Sequence, residues 1–128
     1  MKAYQLAVFV DSAGDGGDWL TVVDDRENDI NETARMELAT SYGHAETSFV
    51  ESFDPARVTF YNPVTGEVPF AGQPMVGTAW LLGKLLGYVP NNITCGAGHV
   101  ETWQEGDITW LRKILPDFPS GKSSNSPL

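Results

Sequence analysis

The sequence predicts an α+β domain in which strands outnumber helices. Two segments have the apolar spacing of helices, whereas several short segments rich in β-branched and aromatic residues have the character of strands. Of the 128 residues, 41% are hydrophobic and 11% are aromatic, which is enough to build one domain around a hydrophobic core. The pattern of many strands with two helices indicates an α+β architecture.

The first half of the chain predicts four strands and one helix. Turn residues, mainly glycine, aspartate and proline, separate strands at residues 4–10, 19–23, 48–50 and 58–61. A helix is expected over residues 32–41, with Asp29 or Asn31 as its N-cap and Gly43 at its C-terminal end. The first two strands, joined by the Gly- and Asp-rich turn 11–18, are expected to form a hairpin.

The segment from residue 61 to residue 87 organises the rest of the chain. It predicts a turn, a short strand over residues 67–70, and a Gly-rich corner that opens an apolar helix with Pro74 in its first turn. Only Lys84 is clearly polar in this helix, so we expect it to be buried nearly all round. The free amides of its first turn, together with the helix dipole, form a natural seat for a carboxylate.

The last third of the chain predicts further strands and a tail. Strand-like pieces cover residues 93–95, 98–102 and 107–111, and the last of these alternates in the manner of a half-buried strand. Residues 119–128 are rich in serine, proline, glycine and lysine, a composition typical of disorder. We therefore expect one folded domain over residues 1–118 and a disordered tail over residues 119–128.

The charge of the chain argues against binding to nucleic acids or anionic membranes. Eight basic and seventeen acidic side chains give a net charge of −9, and contacts to phosphate need clustered Lys and Arg. The acidic residues concentrate early and are expected to form a solvated face. A metal site is the alternative, but its candidate ligands lack the spacing of a Ca²⁺ loop, and we predict no metal. Those candidates are Asp15, Asp18, Asp24 and Asp25.

The N-terminus and the cysteine content predict a cytoplasmic location. Cys95 is the only cysteine, so no disulfide can form within the chain, and we expect it to be a core thiol. The apolar run at residues 6–10 is too short for a secretion signal or a membrane span.

Two motifs resemble the PhzF-like family of phenazine-biosynthesis proteins. Residues 66–79 read G-E-V-P-F-A-G-Q-P-M-V-G-T-A, which is similar to the family signature G-E-x-P-F-x-G-H-P-x-x-G-T-A. Upstream, residues 45–50 read A-E-T-S-F-V and resemble the family's S-E-T-x-F-V. The resemblance covers most of the chain but only the first half of the family's usual two-domain architecture. It implies the diaminopimelate epimerase-like fold, in which each half is a curled sheet around a central helix and the site lies between the halves.

The resemblance implies that Glu46 transfers a proton, because it matches the family's proposed catalytic glutamate. One group that alternates between base and acid can abstract a proton beside a carboxylated carbon and return it elsewhere. Without the resemblance, Glu46 would be read as a turn cap or a solvated side chain. The substrate-binding residues predicted with it are Ala71, Gly72, Gln73 and Pro74 of the corner and His44 at the cleft edge. His99 is too isolated to predict a metal site.

Three departures from the family pattern narrow the chemistry. Gln73 replaces the usual His and can hydrogen-bond a substrate, but it cannot carry a proton near neutral pH. Ala71 stands where the related thiol-dependent epimerases have cysteine, which excludes a two-thiol mechanism. Near the N-terminus, the sequence 17–19 reads Gly-Asp-Trp in place of the family's Gly-Asn-Pro.

Two function classes follow from these observations. The first is a biosynthetic, cofactor-independent isomerase or epimerase acting on a small carboxylated metabolite. Its site would be completed by a second copy of the chain in a homodimer. The second is a non-catalytic subunit that binds a small molecule or supports assembly while keeping the PhzF-like fold.

Overall fold

The computed structural model describes residues 2–9 and 17–113, which form strands and helices in one mixed sheet with a helix on each face. The strands are β1 (Lys2–Val8), β2 (Asp18–Asp24), β3 (Thr47–Phe53), β4 (Ala56–Asn62), β5 (Gly66–Val68), β6 (Asn92–Cys95), β7 (Gly98–Glu105) and β8 (Ile108–Lys113). The helices are α1 (Glu32–Tyr42) and α2 (Gly72–Leu86). The α+β class is therefore confirmed.

The sheet has the order β1-β2-β3-β4-β6-β7-β8, with β5 paired to β4 beside this path. The pairs β2/β3 and β4/β6 are parallel, and the other pairs are antiparallel. Helix α2 contacts β1 at one edge of the sheet and β8 at the other, as well as strands between them. The sheet therefore curls around α2 as an incomplete barrel, which confirms the architecture implied by the family resemblance.

The main hydrophobic core lies between α2 and the concave face of the sheet. Its fully buried side chains include Leu20, Val22, Val58, Phe60, Met75, Leu82, Ile93 and Val100. Helix and sheet approach so closely at Gly77 that a Cβ added there would lie 2.6 Å from Leu20 Cδ2 and 2.9 Å from Val8 Cγ2. Glycine at this position therefore sets the distance between α2 and strands β1 and β2. Cys95 is also buried in this core, as predicted.

Helix α2 is nevertheless open on one side, so the expectation that it is buried nearly all round is wrong there. Trp80 is 39% exposed and Leu85 is 42% exposed. For Trp80 the physical reason is the seam between the two edge strands: β1 and β8 are not paired with each other, and a groove of about 520 Å³ separates them. Gln5 to Phe9 and Asp107 to Thr109 line the groove, with Val76, Gly77 and Trp80 of α2.

Helix α1 covers the opposite face of the sheet and has the predicted ends. The side chain of Asn31, rather than Asp29, caps its start by accepting the Ala34 amide at 2.9 Å. Gly43 ends the helix in the left-handed conformation with φ of 73°. A second, smaller core of Val23, Ala39, Phe49 and Tyr61 lies under this helix.

A buried network of ion pairs, which was not predicted from the sequence, joins α1 to the sheet. The Arg35 guanidinium donates to Asp25 Oδ2 at 2.6 Å, Glu51 Oε2 at 2.8 Å, Thr59 Oγ1 at 2.7 Å and the Ile30 carbonyl at 3.1 Å. Burial alone would lower the pKa of Arg35, but the hydrogen bonds to Glu51 and Asp25 outweigh burial and raise it. Arg35 therefore stays charged in a buried position.

The other strands agree with the expected positions and differ mainly in length. Strand β3 runs to Phe53 rather than residue 50, and β7 runs to Glu105 rather than residue 102. In β8, Ile108 and Trp110 are exposed while Leu111 packs against the core, which confirms the predicted alternation. Val10, most of the predicted turn 11–18 and the predicted tail 119–128 lie outside the described residues.

Within residues 2–9 and 17–113, neither helix has the length and apolar content needed to cross a membrane. The cytoplasmic location stays a prediction.

Candidate active site

The candidate site lies at the edge of the sheet where β2 and β3 begin and β4 ends. Strands β2 and β3 are parallel with Thr21 opposite Thr47, so their first residues lie at the same edge. Strand β4 runs antiparallel to β3 with Tyr61 opposite Thr47, so its last residue, Asn62, also lies there. Glu46 immediately precedes β3 and therefore lies beside Asn62.

The corner between β5 and α2 passes over this edge. Strand β5 ends at Val68 beside β4, whereas Gln73 Nε2 at the start of α2 donates to the Asp18 carbonyl of β2 at 3.4 Å. The intervening residues therefore span from β5 to β2, across the ends of β4 and β3. This arrangement brings the start of α2 to the same edge as Glu46.

The first turn of α2 leaves its amides open to an anion. Ala71 is the N-cap residue and has extended backbone angles, but no side chain caps the helix at this end. The first turn contains no acidic residue, and Pro74 has no amide hydrogen. The amides of Gly72 and Gln73 precede the first intrahelical hydrogen bond, and a helix start of this kind favours a carboxylate.

Glu46 lies on the face of the sheet that α2 covers. Its carboxylate is half-buried, and Oε2 lies 3.5 Å from Asn62 Nδ2. Two residues further along β3 on the same face, Ser48 Oγ accepts a hydrogen bond of 3.0 Å from Thr78 Oγ1 in α2. A carboxylate in this position can accept a proton from a bound molecule and return it.

His44 and Gln73 have separate positions around the site. His44 is half-buried in the loop before β3, and its Nε2 is buried without a hydrogen-bond partner among the described residues. Gln73 is oriented towards Asp18, and within the described part of the chain no hydrogen bond joins it to Glu46. The structure thus gathers Glu46, Asn62 and the corner at one edge, while the binding roles of Ala71, Gly72, Gln73, Pro74 and His44 stay predictions.

A comparison with protein-family models decides the family. The model for phenazine biosynthesis-like proteins (PhzC-PhzF) matches residues 6–124. The chain belongs to this PhzF family.

Solved structures share this fold. A PhzF-family phenazine biosynthesis protein from Enterococcus faecalis is 15% identical with a TM-score of 0.74. The match covers 94% of this chain and 49% of that protein. A PhzC/PhzF protein from Clostridium difficile is 17% identical with a TM-score of 0.71, and the match covers 84% of this chain and 41% of that protein. A predicted epimerase from Pseudomonas aeruginosa is 24% identical with a TM-score of 0.67, and the match covers 85% of this chain and 40% of that protein. At these identities the likeness shows the fold, and the chain spans less than half the length of the proteins it matches.

Two of the four acidic residues considered as metal ligands, Asp24 and Asp25, are engaged in other contacts. Arg26 binds both carboxylate oxygens of Asp24 at 2.9 Å, and Arg35 binds Asp25. Among residues 2–9 and 17–113 no group of three or more His, Cys, Asp or Glu side chains is arranged to hold a metal ion. His99 Nδ1 instead lies 3.0 Å from Thr94 Oγ1. Asp15 lies outside the described residues.

Asn62 was not predicted from the sequence as a neighbour of Glu46 in this PhzF-family domain. Its only sequence signal was the turn-forming pair Asn62-Pro63, which predicts the end of a strand. The contact with Glu46 depends on the antiparallel register of β3 and β4, which sequence spacing alone does not define.

Proposed function

We propose that this PhzF-family domain supplies half of a cofactor-independent isomerase or epimerase that acts on a small carboxylated molecule. One observation carries the proposal: Glu46 lies at the same edge of the sheet as the start of α2, where no side chain caps the helix. A proton-transferring group and an anion seat are the two parts that such a reaction needs. The description of the Pseudomonas aeruginosa structure as a predicted epimerase is consistent with this class.

In the proposed reaction, the substrate carboxylate binds to the amides of Gly72 and Gln73. The positive end of the helix dipole stabilises the negative charge that develops on the substrate when a proton leaves the adjacent carbon. Glu46 accepts that proton and, in an isomerase, returns it to another carbon on the same face of the substrate. In an epimerase, a donor of the second half protonates the same carbon from the opposite face, and Glu46 releases its proton to solvent. The Gln73 side chain orients the substrate and takes no part in proton transfer.

We further propose that a second copy of the chain completes the cleft as a homodimer. The domain corresponds to less than half of the matched proteins, and large apolar side chains are exposed at the same edge as Gln73. Phe9 is 64% exposed and Trp19 is 61% exposed. Aromatic residues of this kind are enriched in protein interfaces. Light scattering after size exclusion is expected to give a dimer, and a monomer at every working concentration would contradict this proposal.

Solvent-deuterium incorporation tests the catalytic proposal. The protein is incubated in D₂O with a panel of amino-, hydroxy- and unsaturated carboxylic acids, and NMR measures deuterium at carbons near the carboxylate. We expect protein-dependent exchange with at least one acid and loss of that exchange in Glu46→Gln. Glu67→Gln is the matched control, because Glu67 is an exposed carboxylate in β5. Equal exchange in Glu46→Gln and wild type would refute the role of Glu46.

The alternative function is a non-catalytic subunit that binds a small carboxylated molecule. Gln73 favours it, because this side chain replaces a histidine that could carry a proton. Calorimetric titration with the same panel of acids distinguishes the two functions. Binding that is weakened by Gln73→Leu, without any deuterium exchange, would support the binding subunit.

A further inference from the structure

We propose that Asn62 is a positioning residue that holds Glu46 in place for proton transfer. This inference rests on the proposed function of Glu46 and extends it to a residue that neither motif contains. Asn62 is the last residue of β4, and its side chain joins the segment before β3 to the turn between β4 and β5.

Four contacts define the position of the Asn62 side chain. Its Nδ2 donates to the Ala45 carbonyl at 3.1 Å and lies 3.5 Å from Glu46 Oε2. Its Oδ1 accepts from the Val64 amide at 2.8 Å and from the Thr65 amide at 3.2 Å. Both ends of the amide are therefore used, and each end serves a different segment of the chain.

These contacts also fix which way the amide points. Oδ1 faces two backbone donors, and an NH₂ group in its place would meet two N–H groups without an acceptor. In the same flipped state, the amide oxygen would face the Ala45 carbonyl and the Glu46 carboxylate, which are both acceptors. The turn at Val64 and Thr65 therefore keeps the donor side of Asn62 towards Glu46.

This geometry divides the two oxygens of Glu46 between two tasks. Asn62 approaches Oε2, whereas Oε1 has no hydrogen-bond partner among the described residues. Oε1 is then the oxygen left to exchange a proton with the substrate. Because proton transfer depends steeply on distance and direction, a carboxylate held at one oxygen and free at the other is suited to this step.

Substitutions at Asn62 separate positioning from turn formation. Asn62→Asp keeps an acceptor for the amides of Val64 and Thr65 but loses the donor and places a negative charge beside Glu46. Asn62→Ala loses both functions. We expect both variants to lower kcat for deuterium exchange on the order of 10- to 100-fold with little change in KM. Both variants should also lower the thermal midpoint, Asn62→Ala through loss of the turn and Asn62→Asp through repulsion between its carboxylate and Glu46.

A kcat at the wild-type value in Asn62→Asp would overturn the positioning role while leaving the proposed function intact. A rise in KM with unchanged kcat would also overturn it, because it would indicate a role in binding. Absence of exchange in wild-type protein with every acid would instead refute the proposed function, and the positioning role with it.

NMR of the Asn62 side-chain amide tests the contact without any substrate. In ¹⁵N-labelled protein, Glu46→Gln is expected to shift the Asn62 side-chain signals, while the control Glu37→Gln, at an exposed position of α1, leaves them in place. Signals that do not respond to Glu46→Gln would overturn the contact, whether or not the protein catalyses exchange.

Discussion

Replacing Arg35 by methionine tests the buried ion network beneath α1. Methionine keeps much of the apolar stem of arginine but removes the guanidinium. The Asp25 carboxylate, whose side chain is only 1% exposed, then loses its cation. It keeps a single donor shown by the structure, the Asp29 amide at 3.1 Å.

The expected cost follows from what each partner retains. Glu51 keeps contacts with Arg57 at 3.2 Å and with Thr59 at 3.3 Å, so most of the loss falls on Asp25. Removing one partner of a buried pair typically costs about 3–5 kcal/mol because a buried charge is left unpaired. With a total stability of about 5–15 kcal/mol for a domain, Arg35→Met removes a large share of the free energy of unfolding.

Urea unfolding monitored by tryptophan fluorescence measures this loss. For a slope of about 2 kcal/mol per molar urea, the midpoint should fall by roughly 2 M. Arg57→Met is the matched control, because the Arg57 side chain is 50% exposed and binds only the other oxygen of Glu51. Arg57→Met should lower the free energy of unfolding by less than about 1 kcal/mol. Equal losses in Arg35→Met and Arg57→Met would show that burial of the Arg35 ion pairs does not increase their contribution to stability.

A second substitution separates charge from packing. Asp25→Asn in the Arg35→Met background removes the unpaired charge and should restore about 1–3 kcal/mol. If Arg35→Met does not fold, Arg35→Lys keeps the charge but cannot reproduce the planar fork, so it should be intermediate in stability. A lysine variant as stable as wild type would show that the fork geometry is unimportant.

Two further predictions concern pH and a buried hydrogen bond. Hydrogen bonds from Arg26 hold the pKa of Asp24 below its usual value, so this pair stabilises the fold above that value and ceases to do so as the pH falls through the lowered pKa. Arg26→Gln should therefore lower the free energy of unfolding by less than about 1 kcal/mol at neutral pH. Urea titrations should show that this difference from wild type shrinks below about pH 4. The part of the difference that comes from the lost contact of Arg26 with Phe53 should remain. Thr78→Val should lower the free energy of unfolding by about 1–3 kcal/mol because it leaves the buried Ser48 hydroxyl unpaired, and adding Ser48→Ala should recover part of that loss. A double variant no more stable than Thr78→Val would contradict this.

Local sequence signals predicted the elements of the fold well. The N-cap at Asn31 and the left-handed Gly43 depend on residues within one helical turn, and the alternation in β8 depends on neighbouring residues. These patterns are visible in a single sequence because the interactions that cause them are local.

The contacts that pair distant segments were not predictable in the same way. Arg35 reads as one of few basic residues in an acidic stretch, yet its partners lie 10, 16 and 24 positions away in sequence. Asn62 and Glu46 meet only because β3 and β4 pair with Tyr61 opposite Thr47. Glu46 is recognisable in the sequence from its motif, whereas its contact with Asn62 is defined only by the strand register.

The division of β3 between the two faces of the sheet means that one strand serves two different purposes. Ser48 and Val50 face α2, on the side of the candidate site, whereas Phe49 and Glu51 face α1 and the ion network. A shift of β3 by one residue would exchange these faces, turning Glu46 away from the cleft and bringing Glu51 into the apolar core. The Arg35 network opposes such a shift because it accepts Glu51 only in the native alignment. Contacts that stabilise one face of the sheet thereby preserve the strand alignment that the proposed chemistry at the other face requires.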